Sequence, residues 1–196
     1  MSVESIVIAT DLNKTFKTEQ KGLDDVQALQ GINMQIKAGQ LTALVGPDGA
    51  GKTTFLRLIA GLYEPTTGSL KVLGMDVAKD PQSVQDRISY MPQKFGLYED
   101  LSIQENLDLY ADLHGVPMDV RKERFARLLK ITDLARFTER PAGKLSGGMK
   151  QKLGLACTLV RSPELLLLDE PSVGVDPLSR RDLWIIICLL YTSPSP

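Results

Sequence analysis

Apolar side chains recur along this chain with two different periods, which predict alternating strands and helices. Short apolar runs predict strands at 6–8, 32–36, 41–45, 69–73, 88–91 and 165–168. The unbroken apolar character of 165–168 predicts that this strand is buried. After Gly51 the period becomes helical through Ala60, and Gly61 is suited to end that helix.

A longer helical pattern runs through residues 102–134. The positions that recur at helical spacing are Leu107, Tyr110, Ala111, His114, Phe125, Leu128 and Leu129. Gly-Val-Pro at 115–117 breaks this stretch into two helices, and a further helix begins near Ser146. Strands that alternate with helices around a buried strand indicate an α/β fold with a helical insert.

Composition narrows the class of protein. A chain of 196 residues suits one domain, and 43% hydrophobic with 24% charged residues is typical of globular proteins. The net charge of −1 offers no basic field, so nucleic acid is not expected as a partner. The longest apolar stretch, 183–191, is about half of what spans a bilayer. Residues 1–10 lack a signal-peptide pattern, which indicates the cytosol.

A glycine-rich loop between a predicted strand and a predicted helix has the pattern of a phosphate-binding site. It fits the phosphate-loop pattern G-x-x-x-x-G-K-[ST] and consists of Gly46, Pro47, Asp48, Gly49, Ala50, Gly51, Lys52, Thr53 and Thr54. Glycines let the backbone amides approach phosphates closely, and the helix N-terminus adds positive potential. Lys52 is expected to reach the β- and γ-phosphates of ATP, and the Thr53 hydroxyl to bind Mg²⁺.

Two carboxylates, Asp169 and Glu170, end the apolar run 165–168. Ligands of α/β sheets bind at the carboxyl ends of strands, so Asp169 is expected to hold Mg²⁺ and Glu170 to act as general base on the attacking water. The alternative is that these residues merely cap a strand in a solvated turn. The phosphate loop in the same chain favours the functional interpretation.

Residues 145–151, Leu-Ser-Gly-Gly-Met-Lys-Gln, resemble the signature sequence of ATP-binding cassette (ABC) proteins. Ser146, Gly147 and Gly148 at a helix start form a second anion site of amides and a hydroxyl. The resemblance implies that two such domains pack head to tail, so that the signature of one covers the γ-phosphate bound by the other. It also implies a P-loop NTPase fold with a RecA-like core, an antiparallel β edge and an α-helical subdomain at about 95–145. The nucleotide-binding domain then spans 1–187.

The resemblance assigns three further positions. Gln93 corresponds to the glutamine that senses Mg²⁺ and the γ-phosphate, which adds it to the catalytic residues Lys52 and Glu170. Phe16 is similar to the aromatic residue that stacks on adenine, with an ordinary core phenylalanine as the alternative. Asp176 is similar to the aspartate that touches the partner domain.

The finer resemblance is to exporters. Met149 stands where many members have glutamine, a form familiar in ABC-2 type exporters, and residues 92–102 resemble drug-efflux subunits. The implied function is ATP hydrolysis that powers drug or multidrug efflux, with integral membrane permease subunits as partners, at the inner face of the cell membrane. The second cassette is supplied by a homodimer or a tandem partner. A soluble cassette ATPase and a degenerate nucleotide-binding half of a tandem remain alternatives.

Residues 188–196 match a translation of transposase adaptor DNA, and we interpret them as a non-native segment. The alternative is a genuine Pro/Ser-rich tail. Members of the family continue into another strand and the switch histidine, so the domain is expected to be incomplete here. We therefore expect this chain to bind ATP weakly and to hydrolyse it poorly.

Overall fold

The computed structural model describes residues 4–18 and 24–192. The chain divides into two compact units, residues 1–88 and 89–196, and each is described by itself. Residues 193–196, the end of the segment interpreted as adaptor-derived, lie outside the described residues.

Four antiparallel strands form the sheet of the first unit. They are β1 (Ser5–Phe16), β2 (Val26–Lys37), β3 (Thr67–Val72) and β4 (Met75–Asp76), in the order β2-β1-β3-β4. Val7 on β1 pairs with Ile36 on one side and with Val72 on the other. Val7, Ala9 and Val72 are buried, so alternate positions of these strands supply the core of the unit.

In the described part of the first unit, two helices follow strands of this sheet. α1 (Lys52–Ile59) buries Phe55, Leu58 and Ile59 at helical spacing, as the sequence predicts. α2 (Pro81–Arg87) was not predicted, although Asp80 caps it by accepting a hydrogen bond from the Ser83 N–H at 3.1 Å.

The predicted strand at 41–45 is wrong. Residues 40–47 form neither helix nor strand, and the exposed fractions of Leu41 and Val45 are 56% and 93%. A strand is stabilised by the backbone and side-chain pairs that it makes with a neighbour, and no described strand pairs with this segment. The apolar composition of this segment favoured a strand, but the segment has no neighbouring strand among the described residues with which to pair.

Among its described residues, the second unit combines a short sheet with four α-helices and two short 3₁₀ helices, Ala135–Phe137 and Ala142–Lys144. β5 (Ile88–Met91) and β6 (Leu165–Leu168) pair with each other. The α-helices are α3 (Ile103–Leu113), α4 (Met118–Ile131), α5 (Gly147–Leu159) and α6 (Pro177–Thr192). The prediction of two helices within 102–134 and a third after Ser146 is confirmed, whereas α6 was not predicted. Of β6 only Leu167 is buried, so the prediction of a fully buried strand is wrong; among the described residues it has one neighbouring strand.

Helix caps explain why these helices begin where they do. The Ser102 hydroxyl accepts from the Glu105 N–H at 3.1 Å, and the Glu105 carboxylate accepts from the Ser102 N–H at 2.7 Å. This reciprocal pair satisfies two backbone donors at the start of α3. Within residues 4–18 and 24–192, no helix has the length and apolar character needed to cross a bilayer. The α/β class predicted from the sequence is confirmed.

Candidate functional site

The phosphate loop of the first unit leads directly into α1. Gly49 and Gly51 adopt positive φ angles of 78° and 84°. A Cβ atom on Gly51 would lie 2.6 Å from the Ala28 carbonyl oxygen, so glycine is required both by conformation and by space. Gly51 is also the N-cap of α1 and offers no side-chain cap. The first backbone N–H groups of α1 therefore point out of the helix end, as anion binding requires.

Lys52 lies at the start of α1 and turns back over the loop. Its ammonium donates hydrogen bonds to the carbonyl oxygens of Gly46 at 2.9 Å and Pro47 at 2.8 Å. These contacts hold the positive charge beside the loop amides. Asp48 is exposed in the loop, where water screens its charge, and Thr53 and Thr54 follow in the first turn of α1. Loop and lysine together fit the phosphates of a nucleotide.

In the second unit, Asp169 lies at the end of β6 and is only 2% exposed. The Tyr90 hydroxyl donates to its Oδ2 at 2.9 Å, and the Asp169 N–H donates to the Met91 carbonyl oxygen at 2.9 Å. A buried carboxylate needs a donor such as the Tyr90 hydroxyl to offset the loss of water, whereas the backbone bond to Met91 joins the end of β6 to β5. The contact with Tyr90 was not predicted from the sequence.

Glu170 follows in a left-handed conformation with φ of 50°. This conformation is unfavourable for a residue with a side chain, and Asp11, Leu73, Asp133 and Ser162 also adopt it in this chain. The Gln93 Nε2 donates to Glu170 Oε2 at 3.1 Å, across 77 positions of sequence. The structure thus brings Gln93 and Glu170 into contact, with Glu170 next to the buried Asp169.

These oxygen donors suit Mg²⁺ better than a softer metal. Among the described residues, no three His, Cys, Asp or Glu side chains form a cluster that could enclose a metal ion. Mg²⁺ is usually held by one or two carboxylates together with water and substrate phosphates, so a single buried aspartate is compatible with it.

The signature segment forms the start of α5. The Ser146 hydroxyl accepts from the Met149 N–H at 3.3 Å, and its own hydrogen remains available for donation to an anion. Gly148 is buried, and a Cβ atom there would lie 2.5 Å from Ser179 Oγ near the start of α6. Gly147 is exposed beside it. Gly148 is therefore a packing position between two helices as well as part of the motif.

Asp176 caps α6. Its Oδ1 accepts hydrogen bonds from the N–H groups of Leu178 at 3.1 Å and Ser179 at 3.0 Å. The hydroxyl and N–H of Ser179 hold the pKa of Asp176 below its ordinary value of 3.8, because they stabilise the carboxylate. Asp176 remains exposed, so this local role leaves its side chain accessible.

Phe16 ends β1 and is half-buried. Its ring packs against that of Tyr63 with a centroid distance of 5.3 Å and an interplanar angle of 76°. Phe16 therefore packs against a neighbour within its unit and is partly accessible to solvent. The aromatic partner was not predicted, because 47 positions of sequence separate the two residues.

The segment 94–102, which follows Gln93, makes hydrogen bonds and a ring contact with helix α3. Asn106 on α3 is fully buried, and its Nδ2 donates to the carbonyl oxygens of Tyr98, Leu101 and Ser102 at 3.0, 3.2 and 2.9 Å. The Phe95 ring lies 5.1 Å from that of Tyr110, so Phe95 packs within its own unit. Tyr98 is 53% exposed.

Comparison with known proteins gives concordant relatives. A family model described as ABC transporter matches residues 29–173. The probable multidrug ABC transporter ATP-binding protein YbhF of Escherichia coli (strain K12) is 55% identical over 184 residues, covering 94% of this chain and 31% of that protein. The daunorubicin resistance ATP-binding protein DrrA3 of Streptomyces coeruleorubidus is 36% identical over 165 residues, covering 84% and 52%. The chain spans about a third of the length of YbhF.

Solved structures show the same fold. A dimeric ATP-binding cassette in a post-hydrolysis state, bound to ADP and Pi, has a TM-score of 0.81 at 26% identity, covering 95% of this chain and 83% of that one. The cbiO1 protein from Clostridium perfringens, part of the ABC transporter complex cbiONQ, has a TM-score of 0.82 at 27% identity, covering 96% and 74%. The predicted P-loop fold with an antiparallel edge and a helical part is confirmed.

Proposed function

Because the chain belongs to the ABC transporter family, we propose that it binds Mg-ATP and hydrolyses it to power a drug-efflux transporter. The observation that carries this proposal is the contact between Gln93 and Glu170 at 3.1 Å, beside the buried Asp169. A scaffold that only bound nucleotide would not need a glutamine amide that orients the Glu170 carboxylate. This arrangement suits the activation of water.

In this proposal the phosphate loop holds the nucleotide. The amides of 46–54 and the start of α1 bind the phosphates, and Lys52 exchanges its hydrogen bonds with Gly46 and Pro47 for the β- and γ-phosphates. Phe16 contacts the adenine. The hydrogen bonds to Gly46 and Pro47 already place the ammonium beside the loop that binds the phosphates.

Thr53, Asp169 and Gln93 are the proposed Mg²⁺ residues. The metal, when bound, neutralises charge on the phosphate oxygens. Glu170 accepts a proton from the attacking water, and Gln93 orients the Glu170 carboxylate through its amide. The strained backbone at Glu170 supports this role because it fixes the direction in which the carboxylate leaves β6.

We further propose that two cassettes act together. Ser146 and Gly147, exposed at the start of α5, face the γ-phosphate of a nucleotide bound by the partner, and Asp176 contacts the partner domain. Gly148 contributes by allowing α5 to approach Ser179 closely. The dimeric cassette among the solved relatives supports this arrangement.

The relatives also support the transport role. YbhF is named for multidrug transport and DrrA3 for daunorubicin resistance. We propose permease subunits as membrane partners and a position at the inner face of the cell membrane. The cassette extends over 1–187, with its helical subdomain at about 95–145.

The decisive variant is Glu170→Gln, which removes the base but keeps the shape and a hydrogen-bonding side chain. In the full-length protein, nucleotide affinity by calorimetry should stay within about twofold, whereas single-turnover phosphate release should fall by about 100-fold or more, the lower range for a catalytic base. Glu139→Gln makes the same change of charge at an exposed residue and should leave both unchanged. Unaltered phosphate release in Glu170→Gln would contradict the assigned role.

A further inference from the structure

Phe16, Tyr63 and Lys14 of the first unit form a cluster, and the proposed nucleotide site assigns a role only to Phe16. Phe16 and Tyr63 lie edge to face with their ring centroids 5.3 Å apart. The Lys14 ammonium lies 5.0 Å from the Phe16 centroid and 5.6 Å from the Tyr63 centroid. The three distances are nearly equal, so the ammonium lies in the angle between the rings.

This geometry leaves one face of Phe16 uncovered by its two neighbours. If Tyr63 points its edge at Phe16, both Tyr63 and Lys14 lie on the same face of Phe16. If Phe16 points its edge at Tyr63, only the ammonium covers a face. Phe16 is half-buried, which is compatible with a ring that offers one face to a ligand.

The cluster is fixed from two sides. The Lys14 ammonium donates a hydrogen bond to the Glu64 carbonyl oxygen at 2.8 Å, which holds it over the rings. Arg57 donates from its Nη1 to the Tyr63 hydroxyl at 2.9 Å, and its guanidinium carbon lies 5.7 Å from the Tyr63 centroid. Arg57 belongs to α1, the helix that begins at Lys52. A chain of contacts therefore joins the helix of the phosphate loop to Phe16 through Tyr63.

We propose that Tyr63 is a positioning residue for the base of the nucleotide, and this rests on the proposed function. Tyr63 holds the Phe16 ring at a set distance and angle from the phosphate loop, with Lys14 on the occupied side. The purine stacks on the remaining face of Phe16. Stacking on an aromatic face does not depend on the hydrogen-bonding groups of the base.

The test separates the base from the phosphates by comparing ATP with inorganic triphosphate, which has no base. Affinities are measured by calorimetry with Mg²⁺ for the full chain and four variants. Phe16→Ala should weaken ATP binding by about tenfold, the usual effect of losing a base stack. Tyr63→Ala should weaken it by about threefold to tenfold, because the Phe16 ring loses the partner that orients it. Neither change should alter the affinity for triphosphate.

Two variants serve as controls. Tyr63→Phe keeps the ring pair and loses only the hydroxyl bound by Arg57, so it should restore most of the ATP affinity. Leu62→Ala alters the neighbouring exposed side chain and should have no effect. Equal losses for ATP and triphosphate in Tyr63→Ala would reveal a purely structural role and overturn the proposal. The proposal would also be overturned if Tyr63→Ala bound ATP as tightly as the parent while Phe16→Ala bound ATP more weakly. If the unsubstituted chain bound neither ligand, the proposed function itself would fail, and this inference with it.

Discussion

Tyr90 lies outside the sequence motifs, yet it contacts the carboxylate of Asp169 and so shapes the site. Asp169 is almost fully buried, and the Tyr90 hydroxyl donates to one of its two oxygens. A carboxylate held through Oδ2 presents Oδ1 in a defined direction. If Asp169 binds Mg²⁺ as proposed, Tyr90 therefore sets the geometry with which it does so.

Tyr90→Phe should weaken the Mg²⁺ dependence of nucleotide binding while leaving the metal-free affinity unchanged. The lost bond joins a hydroxyl to a charged group, worth about 1.5 kcal/mol, so the gain in ATP affinity on adding Mg²⁺ should shrink by about tenfold. Titrations of ATP with Mg²⁺ and with a chelator measure this gain directly.

Tyr110→Phe is the matched control, because the Tyr110 hydroxyl donates at 2.7 Å to the Gly96 carbonyl oxygen rather than to Asp169. It should keep the full effect of Mg²⁺. A Tyr90→Phe chain that responded to Mg²⁺ as the parent does would show that the hydroxyl does not position the carboxylate.

The sequence predicted those residues of the site that stand next to one another along the chain. The loop 46–54 and the pair Asp169 and Glu170 are each contiguous, so residue type and spacing were enough. Tyr90 and Asp169 are 79 positions apart, and their contact depends on how β5 and β6 pair. Which strands pair with each other is a tertiary property that no local pattern encodes.

The close packing of helix α5 against helix α6 depends on the absence of a side chain at Gly148. A Cβ atom on Gly148 would lie 2.5 Å from Ser179 Oγ, well inside van der Waals contact. The two helices must then separate or Ser179 must move, and overpacking of this kind costs about 1–3 kcal/mol.

Gly148→Ala should therefore lower the free energy of unfolding by about 1–3 kcal/mol, as measured by urea denaturation. The gain in helix propensity from glycine to alanine offsets less than about 1 kcal/mol of this. Gly96→Ala is the comparison, because its Cβ atom would meet nothing closer than the Tyr110 hydroxyl at 3.9 Å. Equal stability of the two variants would contradict the packing role of Gly148.

Elements with local start signals were the ones that the sequence predicted well. α3 and α5 begin at the serine caps Ser102 and Ser146, and both were expected near these positions. α6 was missed although Asp176 and Pro177 supply a cap and a favourable first residue. The strand at 41–45 failed for another reason, because strand formation depends on a neighbouring strand, which composition does not reveal.

For the whole molecule, the proposed function requires association of two cassettes through ATP. The Glu170→Gln chain, which should retain ATP, is expected to dimerise when ATP is added. Adding Ser146→Asp should prevent this. Aspartate caps a helix about as well as serine, so α5 is preserved, while its charge repels the phosphate of the partner site.

Size-exclusion chromatography with light scattering gives the mass of each species directly. Ser162→Asp introduces the same charge at an exposed position after α5, where a positive φ of 54° tolerates aspartate, and should leave dimerisation intact. A dimer that formed equally with Ser146→Asp would remove Ser146 from the proposed interface.

The largely exposed run 41–45, in which Leu44 is partly buried, also affects how the protein behaves in bulk solution. Leu-Thr-Ala-Leu-Val is uncharged, free of proline and prone to extended structure, and it lies outside every described strand. Segments of this kind can stack between copies and seed aggregation, with no charged gatekeeper inside the run to oppose it. Colloidal stability should therefore fall as the protein is concentrated. The segment immediately precedes the phosphate loop, so such aggregates would form beside the nucleotide site.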